Sequence, residues 1–176
     1  MIDVHVLTHE GTRPDWLAEC LRSLESEPCT VHLVDNTGRK VGPGRTAGYK
    51  MGVHPLVSYV DSDDFVFPGA MQAVIDGLEH HTGVCTRELA IHNGVGFFKL
   101  PRGGHNLFAA RRDAIEPLLA HMETIDYLSD VMVRRHLKPA HLEFLGYAWR
   151  LHDMQAHRNI NNAMLRAEIE RCPWPS

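Results

Sequence analysis

Three short apolar runs of one design, IDVHVL (Ile2 to Leu7), TVHLVD (Thr30 to Asp35) and LVSYVD (Leu56 to Asp61), are separated from one another by apolar residues at helical spacing. Their β-branched alternation marks them as strands. After the polar loop THEGTRP, Thr12 and Asp15 are spaced as a capping box, and Trp16, Leu17, Cys20, Leu21 and Leu24 recur on one helical face until Pro28. The turn-rich NTGRKVGPG leads to RTAGYKMG (Arg45 to Gly52), which predicts a second, short helix, and Pro68 opens a third that carries Met71, Val74, Ile75 and Leu78. This order predicts an α/β fold with a mostly parallel central sheet and helices on both faces. Ligands of such sheets bind beyond the carboxyl ends of the strands.

The second half changes character. ELAIHNGVGFFKL sets an Asn-Gly pair between two apolar runs and reads as a β-hairpin. DAIEPLLAHM and YLSDVMVRRHL are helical patterns, LEFLGYAWRLH is apolar and aromatic enough for strands, and NINNAMLRAEIERC reads as a terminal helix. At 176 residues the chain is sized for one domain, 1–176, with no internal repeat.

At the carboxyl ends of these strands the sequence places unusual chemistry. YVDSDDFVFPGAM packs Asp61, Asp63 and Asp64 into four positions directly after an apolar run. Neighbouring carboxylates repel unless water or a cation screens them. Thr8, Glu10 and Asp35 follow the other two strands, so the acids line one shared crevice.

Composition removes several function classes. With 44% hydrophobic and 23% charged residues the chain is an ordinary globular protein, and a net charge of -4 gives no support to obligatory binding of nucleic acid. Cys20, Cys29, Cys85 and Cys172 form no C-x-x-C pair and fit reduced thiols in a cytoplasmic protein. No run of about 18 apolar residues and no signal-like start are present, so no integral membrane contact is expected.

Taken in order, VHVLTHEGTRPDWLAECLRSL, VDNTG, GRTAGYKMG, VSYVDSDD, LFAARRDAI, SDVMVRR and YAWRLHD resemble the successive elements of a glycosyltransferase of the GT-A fold, and are most similar to family 2. The pattern covers roughly residues 1 to 155. The resemblance implies a Rossmann-like domain with a nucleotide-sugar half at about 1–80 and an acceptor half at about 81–176. VSYVDSDD stands at the D-x-D motif, so Asp63 is implied as a ligand of Mn²⁺ or Mg²⁺ and Asp61 as facing the ribose or a metal-bound water. Asp64 either joins them or takes a structural bond. Asp35 matches the acid that contacts the nucleobase or ribose, where a carboxylate suits the imide N–H of uracil; it could equally initiate an Asx-turn. Thr8 and Glu10 lie where the first loop brackets the base.

Gly48, Tyr49 and Lys50 replace the family's Ala-Arg-Asn, leaving Lys50 and Arg45 as candidate cations for the diphosphate. WRLHD maps onto the family's Tyr-Arg-x-His, which implies His152 as a second metal ligand. SDVMVRR maps onto Glu-Asp, with Ser129 in place of the Glu and Asp130 implied as catalytic base. QAHR (Gln155 to Arg158) is followed by Asn159 where processive synthases have Trp, which argues against processive synthesis.

The resulting expectation is a metal-dependent, inverting glycosyltransferase with a nucleoside-diphosphate sugar, such as a UDP-sugar, as donor. Its acceptor could be a saccharide, a protein, a lipid-linked group or a modified nucleic-acid base. Two rivals stand beside it: a nucleotidyltransferase acting on a sugar phosphate, suggested by EGTRPDWL, and a nucleotide-binding module without turnover.

Overall fold

A computed structural model describes residues 1–92, 95–98, 107–153 and Ala167. Strand β1 (Ile2–Thr8) leads through helix α1 (Pro14–Leu24) to β2 (Cys29–Asp35), and α2 (Val41–Tyr49) leads to β3 (Leu56–Asp61). A two-residue strand β4 (Phe65–Val66) and helix α3 (Ala70–Leu78) precede the hairpin of β5 (Gly83–His92) and β6 (Val95–Phe98). Strand β7 (Phe108–Arg111), the short helices α4 (Arg112–Ile115) and α5 (Leu119–Met122), helix α6 (Ser129–Leu137) and the long β8 (Ala140–Leu151) complete the order. Apart from Ala167, the predicted terminal helix lies outside the described residues, as do Gln155 to Arg158.

The strands form one sheet in the order β2-β1-β3-β7-β5-β8-β4, with β6 paired to β5. As the helical connections require, β1 pairs parallel with both β2 and β3. Beyond β3 the sheet is mixed. β7 runs antiparallel to β3 and β5, β4 antiparallel to β8, and β8 parallel to β5. β5 and β6 pair antiparallel, as the hairpin reading expects, with His92 opposite Val95.

Strand alternation sends side chains to two cores. Val4, Val6 and Val60 pack with Cys20 and Leu24 of α1 and Met71, Val74 and Leu78 of α3 on one face. On the other, Val57 and Tyr59 pack with Tyr49 of α2 and with Leu119, Met122 and Val133. Helix α2 can lie this close because of its glycines. A Cβ on Gly48 would overlap the His5 ring, and one on Gly42 would overlap the carbonyl oxygen of Ile125.

The capping-box expectation for α1 is corrected. Arg13 is the N-cap and makes no side-chain cap, with Pro14 opening the helix. Thr12 Oγ1 instead accepts from the His9 N–H at 2.8 Å, and Asp15 turns back to Arg13. Cys20, Cys29 and Cys85 are free thiols. Burial pushes the Cys29 thiol up to about 11, so it stays protonated near neutrality. Among the described residues no helix is long and apolar enough to cross a membrane.

At the amino ends of the strands a single buried acid organises the fold. Asp3 pairs with His32 Nε2 at 2.8 Å and accepts from the His54 N–H at 2.7 Å and from Arg112 Nη2 at 2.6 Å. Arg112 also donates to the carbonyls of Tyr49, Met51 and His54. Burial pushes the Asp3 carboxyl up, but the bonds from His32 and His54 outweigh it and hold it below the usual range.

Candidate active site

The opposite, carboxyl end of the sheet gathers the acids. Thr8 lies beside Asp35 in the β1–β2 register, and Leu7 beside Asp61 in the β1–β3 register, so three strand ends finish in one row. From β3 the chain turns tightly, with the Asp64 N–H donating to the Asp61 carbonyl at 3.0 Å. That turn carries Asp63 between them.

The three acids take three different environments. Asp64 is buried at 1% exposure; Tyr147 Oη donates to its Oδ2 at 2.8 Å, and the Arg150 N–H donates to its Oδ1 at 2.7 Å. Burial, then repulsion from Asp63 and Asp61, pushes the Asp64 carboxyl well above the usual carboxylate range. Of its two sequence readings, the structure gives the anchoring one: Asp64 locks the acid loop to β8. Tyr147 Oη also accepts from the Asp61 N–H at 3.2 Å.

Asp61, by contrast, is partly exposed and ion-paired with Nη2 of the buried Arg45. Asp63 meets His152, Oδ2 to Nε2 at 2.7 Å, joining positions 89 residues apart. Trp16 packs its ring 4.7 Å from that of His152, and Nδ1 of His152 is buried with no hydrogen-bond partner among the described residues.

Arg150, two residues before His152, does more than the sequence suggested. Besides holding Asp64 through its backbone, it donates through Nη1 to the Asp63 carbonyl and through Nη2 to Glu19 at 2.6 Å, with its guanidinium 5.0 Å from the Trp16 ring. Sequence reasoning missed Arg150, Tyr147, Tyr59 and Trp16. The one sequence signal for any of them is the Arg of WRLHD, two residues before His152.

Asp130 enters from the other side of the sheet. It sits in the first turn of α6, mostly buried, with Arg134 Nη2 on its Oδ2 at 3.1 Å and Tyr59 Oη at 3.5 Å. Arg45 lies over the same Tyr59 ring, its guanidinium carbon 3.7 Å from the centroid.

The remaining expectations divide. Asp35 forms the Asx-turn: its Oδ1 accepts from the Thr37 N–H at 2.9 Å, a bond that holds its carboxyl below the usual range. It remains exposed at the crevice edge, beside the buried Asn36, whose Oδ1 has no partner among the described residues. Thr8 Oγ1 donates to the Val34 carbonyl at 3.4 Å. Glu10 lies on the exposed turn after β1.

Lys50 does not join the site. It follows the far end of α2, next to Met51, whose carbonyl belongs to the Arg112 network, and pairs with Glu123 at 3.8 Å. A helix that starts beside the acid crevice and runs back along the sheet carries its last residue away from it, which is why the expectation failed. Among the described residues no three His, Cys, Asp or Glu side chains converge into a metal cage.

No family model matches the chain, and no curated protein matches it. Solved structures do. A crystal structure of S. aureus TarS residues 1–349 superposes with a TM-score of 0.64 at 15% identity, covering 85% of this chain and 60% of that one. The UDP complex gives 0.63 at 14% identity over the same shares, and the UDP-GlcNAc complex gives 0.60 at 13%, covering 99% of this chain and 68% of that one. The chain thus spans 60% of the first of these structures. TarS is a glycosyltransferase of the GT-A type, and the likeness shows that this chain has that fold.

Proposed function

We propose that the chain is a metal-dependent, inverting glycosyltransferase that moves a sugar from a UDP-sugar to an acceptor hydroxyl. The observation that carries this reading is the contact of Asp63 with His152, next to the Asp61–Arg45 pair, at the carboxyl ends of the parallel strands. It sits in a fold whose likenesses include complexes with UDP and UDP-GlcNAc.

A carboxylate oxygen and an imidazole nitrogen, side by side at 2.7 Å, are donors that Mn²⁺ or Mg²⁺ accepts. The pair fits such an ion, with the remaining ligands coming from the donor diphosphate and water. Bound there, a divalent ion supplies neutralisation of the charge that builds on the departing diphosphate. The chain's own residues supply the rest. Asp61, fixed by Arg45, faces the ribose; Asp35 reads the imide edge of uracil; Thr8 and Glu10 border the base. Asp130 takes the proton of the acceptor hydroxyl as it attacks the anomeric carbon opposite the diphosphate. The acceptor docks on the side built by residues 81–176, beside the β5–β6 hairpin.

Calorimetry with UDP tests the reading directly. Wild type should bind UDP more tightly with Mn²⁺ than without, and Asp63→Asn should lose that increment and nearly all UDP-GlcNAc hydrolysis. Equal UDP binding by both proteins with and without Mn²⁺ would remove the metal assignment. Release of UDP distinguishes sugar transfer from nucleotidyl transfer, which the structural likeness does not favour. Absence of any turnover would leave a binding module. The anomeric configuration of the released sugar, read by NMR, decides inversion.

A further inference from the structure

Arg45 was expected to touch the diphosphate, yet its side chain is only 4% exposed. Nη2 is committed to Asp61, and Nε and Nη1 are shut from solvent with no hydrogen-bond partner among the described residues. Its plane lies on Tyr59, itself 3% exposed, whose hydroxyl reaches Asp130. One buried guanidinium therefore stands behind two acids that approach the crevice from different elements, the end of β3 and the first turn of α6.

We infer that Arg45 is a positioning residue for both partners of the transfer, holding Asp61 for the nucleotide and, through the Tyr59 ring, holding Asp130 for the acceptor. This role rests on the donor reading above. Four features support it. A guanidinium bonds a carboxylate through its edge while presenting its face to an aromatic ring, which lets it serve Asp61 and Tyr59 at the same time. The cation over the ring draws electron density from the phenol and makes its hydroxyl a better donor to Asp130. Asp61 and Asp130 both favour the charged form of Arg45, which places the two carboxylates within reach of its field. Finally, glycines flank Arg45 in α2 where the helix sits tightest, Gly44 against the Asn36 side chain and Gly48 against the His5 ring of β1, which fixes the helix that carries Arg45.

Lysine cannot replace this geometry, because a point charge has no face to stack. The order of the pieces also predicts a split. Tyr59→Phe keeps the ring under Arg45 and leaves the Asp61 pair alone, while removing the hydroxyl that reaches Asp130.

The test measures UDP affinity and UDP-GlcNAc hydrolysis, per folded protein, in wild type, Arg45→Met, Arg45→Lys and Tyr59→Phe. Loss of a charged hydrogen bond changes such constants by about 10-fold or more. Arg45→Met should lose about 10-fold or more in both UDP affinity and turnover. Arg45→Lys should lose turnover by a similar factor while keeping part of the affinity, because it keeps the charge beside Asp61. Tyr59→Phe should lower turnover and leave UDP affinity unchanged. If Arg45→Met does not fold, the Lys and Phe variants carry the same comparison. A folded Arg45→Met or Arg45→Lys with wild-type affinity and turnover, or a Tyr59→Phe with wild-type turnover, overturns the role and leaves Arg45 as an interior ion pair. A wild type that binds no UDP overturns the donor reading and this role with it, an outcome distinct from the first because it appears before any variant is made.

Discussion

The two ends of the same parallel strands treat carboxylates in opposite ways. At the amino ends Asp3, one acid, is met by His32, the His54 N–H and Arg112, and Arg112 spends its other N–H groups on three backbone carbonyls. At the carboxyl ends Asp61, Asp63 and Asp64 crowd into four positions beside buried groups with no partner among the described residues, namely Nε and Nη1 of Arg45, Nδ1 of His152 and Oδ1 of Asn36. Asp3 and Arg112 are satisfied, as buried polar groups ordinarily are, although the nearby His5 Nε2 has no partner among the described residues. The difference teaches that charge density alone does not mark a candidate site. What sets the carboxyl end apart is several unpartnered groups converging beside acids, which a ligand could complete.

That contrast can be broken first at the Asp3 end. Asp3→Ala leaves Arg112 buried without its carboxylate and should cost about 3–5 kcal/mol of stability in denaturant unfolding, with turnover per folded molecule retained. The Asp3 carboxyl lies lower in the folded chain than in the unfolded one, so its contribution is complete above the unfolded value. It is lost as pH falls through the folded value, and below about pH 4 the wild type should lose stability faster than Asp3→Ala does. Loss of activity in a fully folded Asp3→Ala would contradict the division between the two ends.

At the other end the larger effect moves to turnover. Asp130→Asn should lower it by about 10² to 10⁴ with UDP affinity intact, and it should also cost some stability, because it leaves the mostly buried Arg134 without its carboxylate. Unchanged turnover would return Asp130 to an ordinary helix ion pair with Arg134. Tyr147→Phe sharpens the comparison within the crevice, since it removes the bonds to Asp64 and to the Asp61 N–H; about 1–3 kcal/mol of stability should go, together with part of the Mn²⁺-dependent UDP affinity. A stability loss with wild-type UDP binding would mean that Asp64 anchors the loop without shaping the site. The smallest structural effect belongs to Asp35→Ala, which gives up one exposed Asx-turn bond, about 1 kcal/mol or less, while weakening UDP relative to CDP and GDP. Equal affinity of wild type for all three nucleotides would remove its role in base selection.

Much of the fold was legible because local spacing carries it. The alternation in IDVHVL, TVHLVD and LVSYVD and the two runs of the hairpin depend on neighbours a few residues apart; the three strands form, and β5 pairs antiparallel with β6. The mixed pairing of the second half was not, because nothing local in FAAR or LEFLGYAWRLH states which strand will lie alongside. The candidate site divides by the same rule. That Asp61, Asp63 and Asp35 lie at one end of the sheet follows from their places at strand ends, and the meeting of His152 with Asp63 agrees with the ordered motif. Lys50 lies elsewhere because α2 runs back along the sheet and carries its last residue away. Tyr147 and Tyr59 read as core aromatics, which they are; their hydroxyls gain meaning only from Asp64 and Asp130, which are 83 and 71 residues away in sequence.

One consequence of the β8 pairing concerns time. β1 finds β2 and β3 within the first 61 residues, whereas β4 must wait for β8, with Phe65 opposite Ala148. Asp64 receives Tyr147 and the Arg150 N–H from positions 83 and 86 residues later, and Asp63 receives His152 later still. As the chain emerges from the ribosome, its first half can therefore exist with the acid loop unclamped until residue 152 is out. During that interval Asp61 has Arg45 beside it while Asp63 and Asp64 have water, and pairing of β8 is the step that brings their protein partners.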